Sequence, residues 1–328
     1  MLKVLDPINI QKYMIDMNTL DDSLYSNWSY NINYVLTEKV IDPYNSMIYE
    51  CINNHLSRNT PSNDGSNWTF VSPANSMAMF DRSVNTYSEG GSSSGIYVKL
   101  TPRQRINGIA LLDMVGISSA TITLFYLTTA IPGGVITSTT DTYSYGITMM
   151  RNINQPGGYV QFIFNISLES RNVSNWREYF IEPYAIKTDC FIGFPSRSDY
   201  QIEFTTSSAN CKIGAMMLGN FVELGDVGYG VSSSIDDYSI KTTNAYGVTT
   251  LTARDYTKRV NYPITVPNWA MRRSFSTLSA LRTKPAVFIG SDDYRYTPFT
   301  VYGYVSNFDV SLSFSTFSII NIEVKGFN

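Results

Sequence analysis

Histidine and cysteine, two residue types that often serve catalysis or metal binding, are scarce in the 328-residue chain. The chain contains one histidine, His55, and three widely spaced cysteines, Cys51, Cys190 and Cys211. A Ser-His-Asp or Cys-His site would have to use His55, which lies in a loop-rich segment of a chain without a GxSxG motif. A zinc site needs three or four close ligands, which these residues do not offer. We therefore expect no catalytic, cofactor or metal site, and a hydrogen-bonded structural role for His55.

Other motifs that could support chemistry are equally weak. The glycine-rich residues 90–95 lack the Lys-Ser/Thr step and the helix of a phosphate-binding loop, so we interpret them as a hairpin. The pairs Asp236/Asp237 and Asp292/Asp293 contain the acids that a glycosidase needs, which stand roughly 5–10 Å apart. Adjacent residues point to opposite sides of a strand, and both pairs lie in a turn context. The sequence therefore predicts that the protein is not an enzyme.

The composition indicates a polar but weakly charged surface. Charged residues make up 16% of the chain, against about 25% in an average soluble domain, whereas tyrosine occurs 24 times. The net charge of −3 opposes binding to a phosphate backbone, which requires clustered Lys and Arg. Polar surfaces suit broad, wet contacts between subunits, because their side chains can pair without desolvating charges. We expect protein partners and no nucleic acid.

The sequence also predicts where the chain is made. No stretch approaches the roughly 18–20 apolar residues of a membrane helix, and the N-terminus lacks the apolar core of a secretion signal. We expect synthesis in a cytoplasm and no membrane insertion. The odd cysteine count fits buried free thiols in a reducing compartment, although a Cys190–Cys211 disulfide stays open.

Residues 1–71 form a small aromatic-rich β module, with strands predicted at 34–41 and 47–51. The spacing of Tyr49-Glu50-Cys51, His55-Leu56-Ser57, Pro61 and Trp68 resembles the signature of the small chitin-binding type of carbohydrate module, which also recurs in phage tail and fibre proteins. This resemblance implies four sugar-stacking residues: Trp28, Tyr34, Tyr49 and Trp68. The alternative is that these aromatic residues form the core of the module, because aromatic side chains dominate small cores by area.

Residues 72–220 read as a β-sandwich. Short apolar runs alternate with turn residues, and in 121–127 Ile122, Leu124 and Tyr126 fall on one face of a strand. Further strands are predicted at 141–150, 158–166 and 177–181, among others, which is typical of a jelly roll. The turn DRSVNT followed by IYVKL and INGIAL resembles the discoidin or galactose-binding-like fold, which implies loops that bind sugars or lipids. We expect Asp81 to accept hydrogen bonds within its own turn rather than bind calcium.

Residues 221–328 carry the one helical period of the chain. Met271, Phe275, Leu278 and Leu281 are spaced four, three and three residues apart, which predicts a helix over 267–282 packed on a sheet. Residues 225–246 have few apolar anchors, so we expect them to lie on a neighbouring protein. The segments DDYS, YGVTTLTARDYTKR, LRTKPAVFIG and VYGYVSNFDVSLSF resemble a domain at the C-termini of tailed-bacteriophage virion proteins.

Together these patterns predict a mainly β protein. It has a small N-terminal β module, a β-sandwich of jelly-roll or galactose-binding-like type, and a C-terminal β domain with one helix. The phage resemblance implies a structural component of the tail, neck or baseplate of a virion. It would be made in the host bacterial cytoplasm and would contact other virion proteins and copies of itself. The alternative is a carbohydrate-binding adhesin or receptor-binding module of a phage tail, with a host-surface glycan as its partner.

Overall fold

The computed structural model describes residues 1–92, 94–127, 139–143, 147–153, 159–168, 188–206, 208–243, 245–291, 298–312 and 314–327. The predicted strand at 177–181 and the pair Asp292/Asp293 lie outside these ranges, as do parts of the strands predicted at 141–150 and 158–166. Strands dominate the described residues, and their ladders are almost all antiparallel. The prediction of a mainly β fold is confirmed.

The described residues contain helices, 3-10 turns and many short strands. Helix α1 spans Asn75–Ala78 and helix α2 spans Met271–Leu281, and 3-10 turns occupy Lys12–Met14 and Pro61–Asn63. The strands are β1 (Leu2–Pro7), β2 (Ile15–Asn18), β3 (Ser26–Asn27), β4 (Asn33–Tyr34), β5 (Lys39–Asp42), β6 (Met47–Cys51), β7 (His55–Leu56), β8 (Trp68–Pro73), β9 (Ser88–Glu89), β10 (Tyr97–Leu100), β11 (Ile106–Val115), β12 (Ser119–Leu127), β13 (Thr139–Tyr143), β14 (Ile147–Ile153), β15 (Tyr159–Ser167), β16 (Cys190–Arg197), β17 (Gln201–Thr206), β18 (Lys212–Val227), β19 (Ser232–Asp237), β20 (Ile240–Thr243), β21 (Thr249–Thr252), β22 (Tyr256–Pro267), β23 (Ala286–Ile289), β24 (Thr300–Ser311) and β25 (Phe317–Gly326).

The chain divides into two compact units rather than the three domains expected at 1–71, 72–220 and 221–328. The larger unit contains residues 9–218, and the smaller contains residues 1–8 together with 219–328. Two strand pairings account for the difference. Strand β1 pairs with β18 and β23, so the first residues join the C-terminal unit. Strand β2 pairs with β10, which ties the N-terminal module to the sandwich. We call the smaller body the C-terminal unit.

The larger unit contains a β-sandwich. One sheet has seven strands in the order β13, β14, β15, β12, β17, β10 and β2, and the other includes β16, β11, the start of β18 and β9. Ile122 and Leu124 of β12 are buried, as their alternation predicted, and Tyr126 is half-buried. The rings of Phe164 and Phe194, one from each sheet, lie 6.4 Å apart. Apolar contact therefore joins the two sheets.

The N-terminal module of the larger unit has its own small sheets. Strands β3, β5, β6 and β8 form one sheet, and β4 pairs with β7. Its two longest strands, Met47–Cys51 and Trp68–Pro73, run antiparallel with one register shift. Trp28, Tyr34, Val40, Cys51 and Trp68 make up its core. A core this small depends on large rings, because each aromatic side chain buries more area than an aliphatic one.

The C-terminal unit is built on a sheet that closes on itself, which we call the closed sheet. Strands β18, β1, β23, β24, β25 and β22 are neighbours in that order. Strand β22 then returns to β18 through the pairs Asp226–Thr265 and Val227–Ile264. Closure requires a close approach at Gly225, where a Cβ atom would lie 2.8 Å from the Thr265 carbonyl oxygen. Strand β19 pairs with β22 outside this ring.

Helix α2 packs on the interior of the closed sheet, in agreement with the predicted helix over 267–282. Leu278 and Leu281 are buried among residues of β22, β24 and β25, and Ser274 Oγ donates a hydrogen bond of 2.9 Å to the Leu224 carbonyl. Phe275 lies outside this core and packs edge-to-face on Phe308, with ring centroids 5.4 Å apart. The buried stripe therefore runs through Ser274 rather than through Phe275.

Cys51, Cys190 and Cys211 are all buried and none of them forms a disulfide, so the Cys190–Cys211 disulfide that the sequence left open is not formed. None of the helices in the described part of the chain has the length and apolar character needed to cross a bilayer.

Candidate functional site

The structure places most of the predicted sugar-stacking residues inside the N-terminal module. Trp28, Tyr34 and Trp68 are 9%, 4% and 2% exposed, and Tyr49 is half-buried. Tyr34 and Trp68 pack edge-to-face with ring centroids 5.0 Å apart, and Trp28 Nε1 donates to Ser57 Oγ at 2.7 Å. Three of the four rings therefore form the module core and present no face on which a sugar could stack. Only Tyr49 keeps part of its ring accessible.

His55 lies beside Cys51 in the same module. Its Nδ1 is 2.7 Å from the Asn53 carbonyl oxygen, and because a carbonyl only accepts, Nδ1 carries the proton. The Cys51 thiol donates to the same carbonyl at 3.0 Å. Burial raises the pKa of Cys51, which keeps it in the weakly nucleophilic thiol form. The Nδ1 atom that faces Cys51 at 3.6 Å cannot act as its base, since it already holds a proton.

The acid pair at the end of β19 is engaged in structural contacts. Asp236 accepts a hydrogen bond of 2.6 Å from Arg259, which also lies 3.3 Å from Glu323. Hydrogen bonds from Ser239 lower the pKa of Asp237, whereas a general acid needs a raised pKa. The arrangement anchors β19 to β22 and β25.

The predicted turn role of Asp81 is confirmed. Its Oδ1 accepts from the Ser83 backbone N–H at 2.7 Å, and its Oδ2 accepts from Thr86 Oγ1 at 2.5 Å. Burial raises the pKa of Asp81 despite these bonds. No cluster of three or more His, Cys, Asp or Glu side chains that could hold a metal occurs among the described residues.

A hairpin that projects from the C-terminal unit is exposed to solvent along its described length. We call residues 238–255 the arm; they contain strands β20 and β21, paired from Ile240–Thr252 to Thr243–Thr249. Every described residue from 240 to 256 is exposed. The arm nevertheless carries large apolar side chains: Tyr238, Ile240, Tyr246, Val248 and Leu251. An isolated two-stranded hairpin is marginally stable in water at best.

The base of the arm is firmly fixed. Six residue pairs, from Ser232–Asn261 to Asp237–Tyr256, hold β19 on β22. Where the arm begins, the Arg254 backbone N–H donates to Ser239 Oγ at 3.1 Å. The arm therefore leaves a rigid sheet at a defined point and exposes both of its faces.

The larger unit contains a cavity of 470 Å³, which we call the amphipathic cavity. It is lined by four segments: 9–12, 45–47, 70–73 and 77–86. Its apolar lining includes the Phe70 ring, which is 56% exposed, together with Met47, Met77 and Phe80. Its polar lining includes these side chains: Asn9, Gln11, Lys12, Asp81, Arg82 and Thr86.

Sequence reasoning missed both the amphipathic cavity and Phe70. The residues that form the cavity are spread along the chain from Asn9 to Thr86, and nothing in their local patterns indicates that they meet. Phe70 lies two residues after Trp68 in the same strand, so period-two alternation places both rings on one face. Trp68 is nevertheless buried and Phe70 is 56% exposed, so alternation alone could not have marked Phe70 as the exposed ring.

Comparison of the chain with protein-family models, with curated protein sequences and with solved structures found no match.

Proposed function

We propose that the protein is a structural component of a bacteriophage virion that assembles in the tail, neck or baseplate through its arm. The observation that supports this assignment is the exposure of apolar side chains on both faces of a hairpin held by a rigid base. Leu251 is 68% exposed and Tyr246 is 91% exposed, at positions where a partner could cover them. Exposed apolar surface of this kind marks interaction sites in soluble proteins.

The low charge of the arm fits a contact between protein subunits. It carries one acid, Asp255, and two bases, Lys241 and Arg254, among tyrosine, threonine and aliphatic residues. Tyrosine and aliphatic side chains supply the buried centre of interfaces, and few charges need to lose their water. The hairpin also offers free strand edges for pairing with a neighbouring chain. We propose another virion protein or a second copy of this chain as its partner.

A deletion that tests this proposal must remove the arm without removing any residue of the closed sheet. Residues 225–227, at the start of the segment expected to lie on a neighbour, belong to the closed sheet, so their removal would disrupt the C-terminal unit. Replacing residues 240–253 by a short Gly-Ser linker preserves the Ser239–Arg254 contact. We expect this variant to fold as the wild-type chain does and to be missing from purified particles in a complementation assay. Normal incorporation would contradict the proposal.

A matched pair of point variants separates the interface from general effects of charge. Leu251→Asp and Thr250→Asp add the same charge at adjacent exposed positions, and only the first removes an apolar side chain. We expect Leu251→Asp to reduce incorporation more strongly than Thr250→Asp, because a charge buried in an interface must lose its hydration.

The alternative function, a carbohydrate-binding adhesin, loses most of the aromatic residues on which the sequence based it. Trp28, Tyr34 and Trp68 are core residues, so a glycan would need a different surface.

A further inference from the structure

We propose that the amphipathic cavity binds a neutral saccharide unit, with the Phe70 ring as its apolar wall and the side chains of Gln11 and Arg82 among its hydrogen-bonding partners. This inference does not depend on the arm or on the assembly role. The volume of 470 Å³ lies within the range of about 300–1,000 Å³ that is typical of ligand pockets.

The Phe70 ring gives the cavity the first feature that a sugar requires. One side of a pyranose ring carries C–H groups and is apolar, and it can lie on an aromatic face. Phe70 stays 56% exposed while its ring packs edge-to-face on Tyr49, with centroids 6.0 Å apart. The neighbouring ring holds Phe70 in place without covering it. A fixed, exposed ring costs little conformational entropy when a ligand stacks on it.

The polar lining matches hydroxyl groups. A hydroxyl both donates and accepts hydrogen bonds, and so does a side-chain amide. Asn9 and Gln11 are both exposed and present two such amides at the cavity, on either side of the buried Ile10. Polar groups placed around an apolar wall fix the orientation of a ligand that is itself apolar on one face and polar at its rim.

The charges in the lining favour a neutral ligand over an anionic one. Lys12 Nζ donates to the Pro43 carbonyl at 2.6 Å, so the protein already engages this cation. Both carboxylate oxygens of Asp81 accept hydrogen bonds within their own turn. Because cations and an acid share the lining, no strong field of one sign is available to attract a phosphate or nucleotide.

The turn at residues 81–86 fixes the backbone at Arg82. Arg82 has a φ of +70°, a left-handed backbone conformation that non-glycine residues rarely adopt. The two hydrogen bonds of the Asp81 carboxylate, to Ser83 and Thr86, fix the turn around it. The course of the backbone beside the cavity is therefore fixed, and strained residues that are held in this way cluster at binding sites.

The test is saturation-transfer NMR on the full chain with four probes: glucose, galactose, rhamnose and N-acetylglucosamine. We expect transfer to the ring protons of at least one probe at millimolar concentration. Phe70→Ala should weaken the binding by about tenfold, since the stacking surface is lost. Gln11→Ala, at an exposed position where misfolding is not expected, should weaken it about fivefold. Tyr44→Ala removes an exposed ring of the same module that does not line the cavity, and it should bind as the wild type does.

Three results would overturn the inference. These are the absence of transfer to every probe, equal binding by Phe70→Ala, Gln11→Ala and the wild type, and binding of ATP by a chain that ignores all four sugars. The variant with residues 240–253 replaced by a linker should still bind sugar. The outcome is therefore independent of whether the arm mediates assembly.

Discussion

The closed sheet and the arm contain the same kinds of residue, but the closed sheet buries their side chains and the arm leaves them exposed to solvent. In β22, Val260, Tyr262 and Ile264 alternate inwards and are fully buried. In the arm, Ile240 and Leu251 occupy the same kind of strand and remain exposed. Valine, isoleucine, threonine and tyrosine favour strands in both regions. What separates them is closure, because the sheet returns to its first strand and shields its interior, whereas the hairpin has no second layer within the described residues.

From this contrast we infer that the closed sheet supplies most of the stability of the C-terminal unit, whereas the arm supplies exposed apolar surface for association. The closed sheet buries its apolar residues against α2. The arm gains little by folding alone, since its apolar side chains stay in water. We therefore expect substitutions in the closed sheet to change stability, and substitutions in the arm to change association.

The largest expected effect on stability is in the core of the closed sheet. Leu278 of α2 is fully buried, and Leu278→Ala should lower the free energy of unfolding of the C-terminal unit by about 2–5 kcal/mol through lost burial and a cavity. Leu251→Ala in the arm, the same substitution at an exposed position, should change it by less than about 0.5 kcal/mol. Hydrogen exchange of the β22 and β25 amides measures both. Equal losses of stability in Leu278→Ala and Leu251→Ala would contradict the contrast between the buried closed sheet and the exposed arm.

A smaller effect is expected where the sheet closes. A Cβ atom at Gly225 would lie 2.8 Å from both the Thr265 carbonyl oxygen and Val266 Cγ2, so Gly225→Ala should force β18 and β22 apart. We expect a loss of about 1–3 kcal/mol, the usual cost of overpacking. Gly65→Ala is a suitable control, because its Cβ would meet no atom within 4 Å. Chemical denaturation of the two variants should show a loss for the first only.

The smallest expected effect concerns a buried hydroxyl. Tyr262 OH donates to the Phe299 carbonyl at 2.8 Å, and Tyr262→Phe should cost about 1 kcal/mol at neutral pH. Burial raises the pKa of Tyr262 above its ordinary value. The folded chain therefore keeps this proton where the unfolded chain loses it, above about pH 10. Stability is complete below that pH and falls above it, so the advantage of the wild type over Tyr262→Phe should shrink on titration to alkaline pH. A constant difference would contradict this assignment.

Local patterns in the sequence predicted the elements better than their partners. The spacing of Leu278 and Leu281 indicated α2, and the alternation along β12 indicated a strand with one buried face. The turn role of Asp81 followed from residues within five positions of one another. In each case the deciding interactions lie close together in the sequence.

The features that the sequence did not indicate depend on contacts between residues that lie far apart in the chain. Strand β1 joins β18 and β23 more than two hundred residues away, which moves the first eight residues into the C-terminal unit. Trp28 and Trp68 are strong stacking candidates by residue type, yet they meet in a core whose assembly no local pattern indicates. The amphipathic cavity likewise depends on segments that only the fold brings together.

Hydrogen–deuterium exchange of the arm tests the central claim most directly. We expect the amides of Ile240–Thr243 and Thr249–Thr252 to exchange rapidly in the isolated chain, because this hairpin is exposed on both faces. In the assembled particle they should become protected to the level of β22. Rapid exchange of these amides in the particle as well would show that no neighbour covers the arm, and it would contradict the proposed role in assembly.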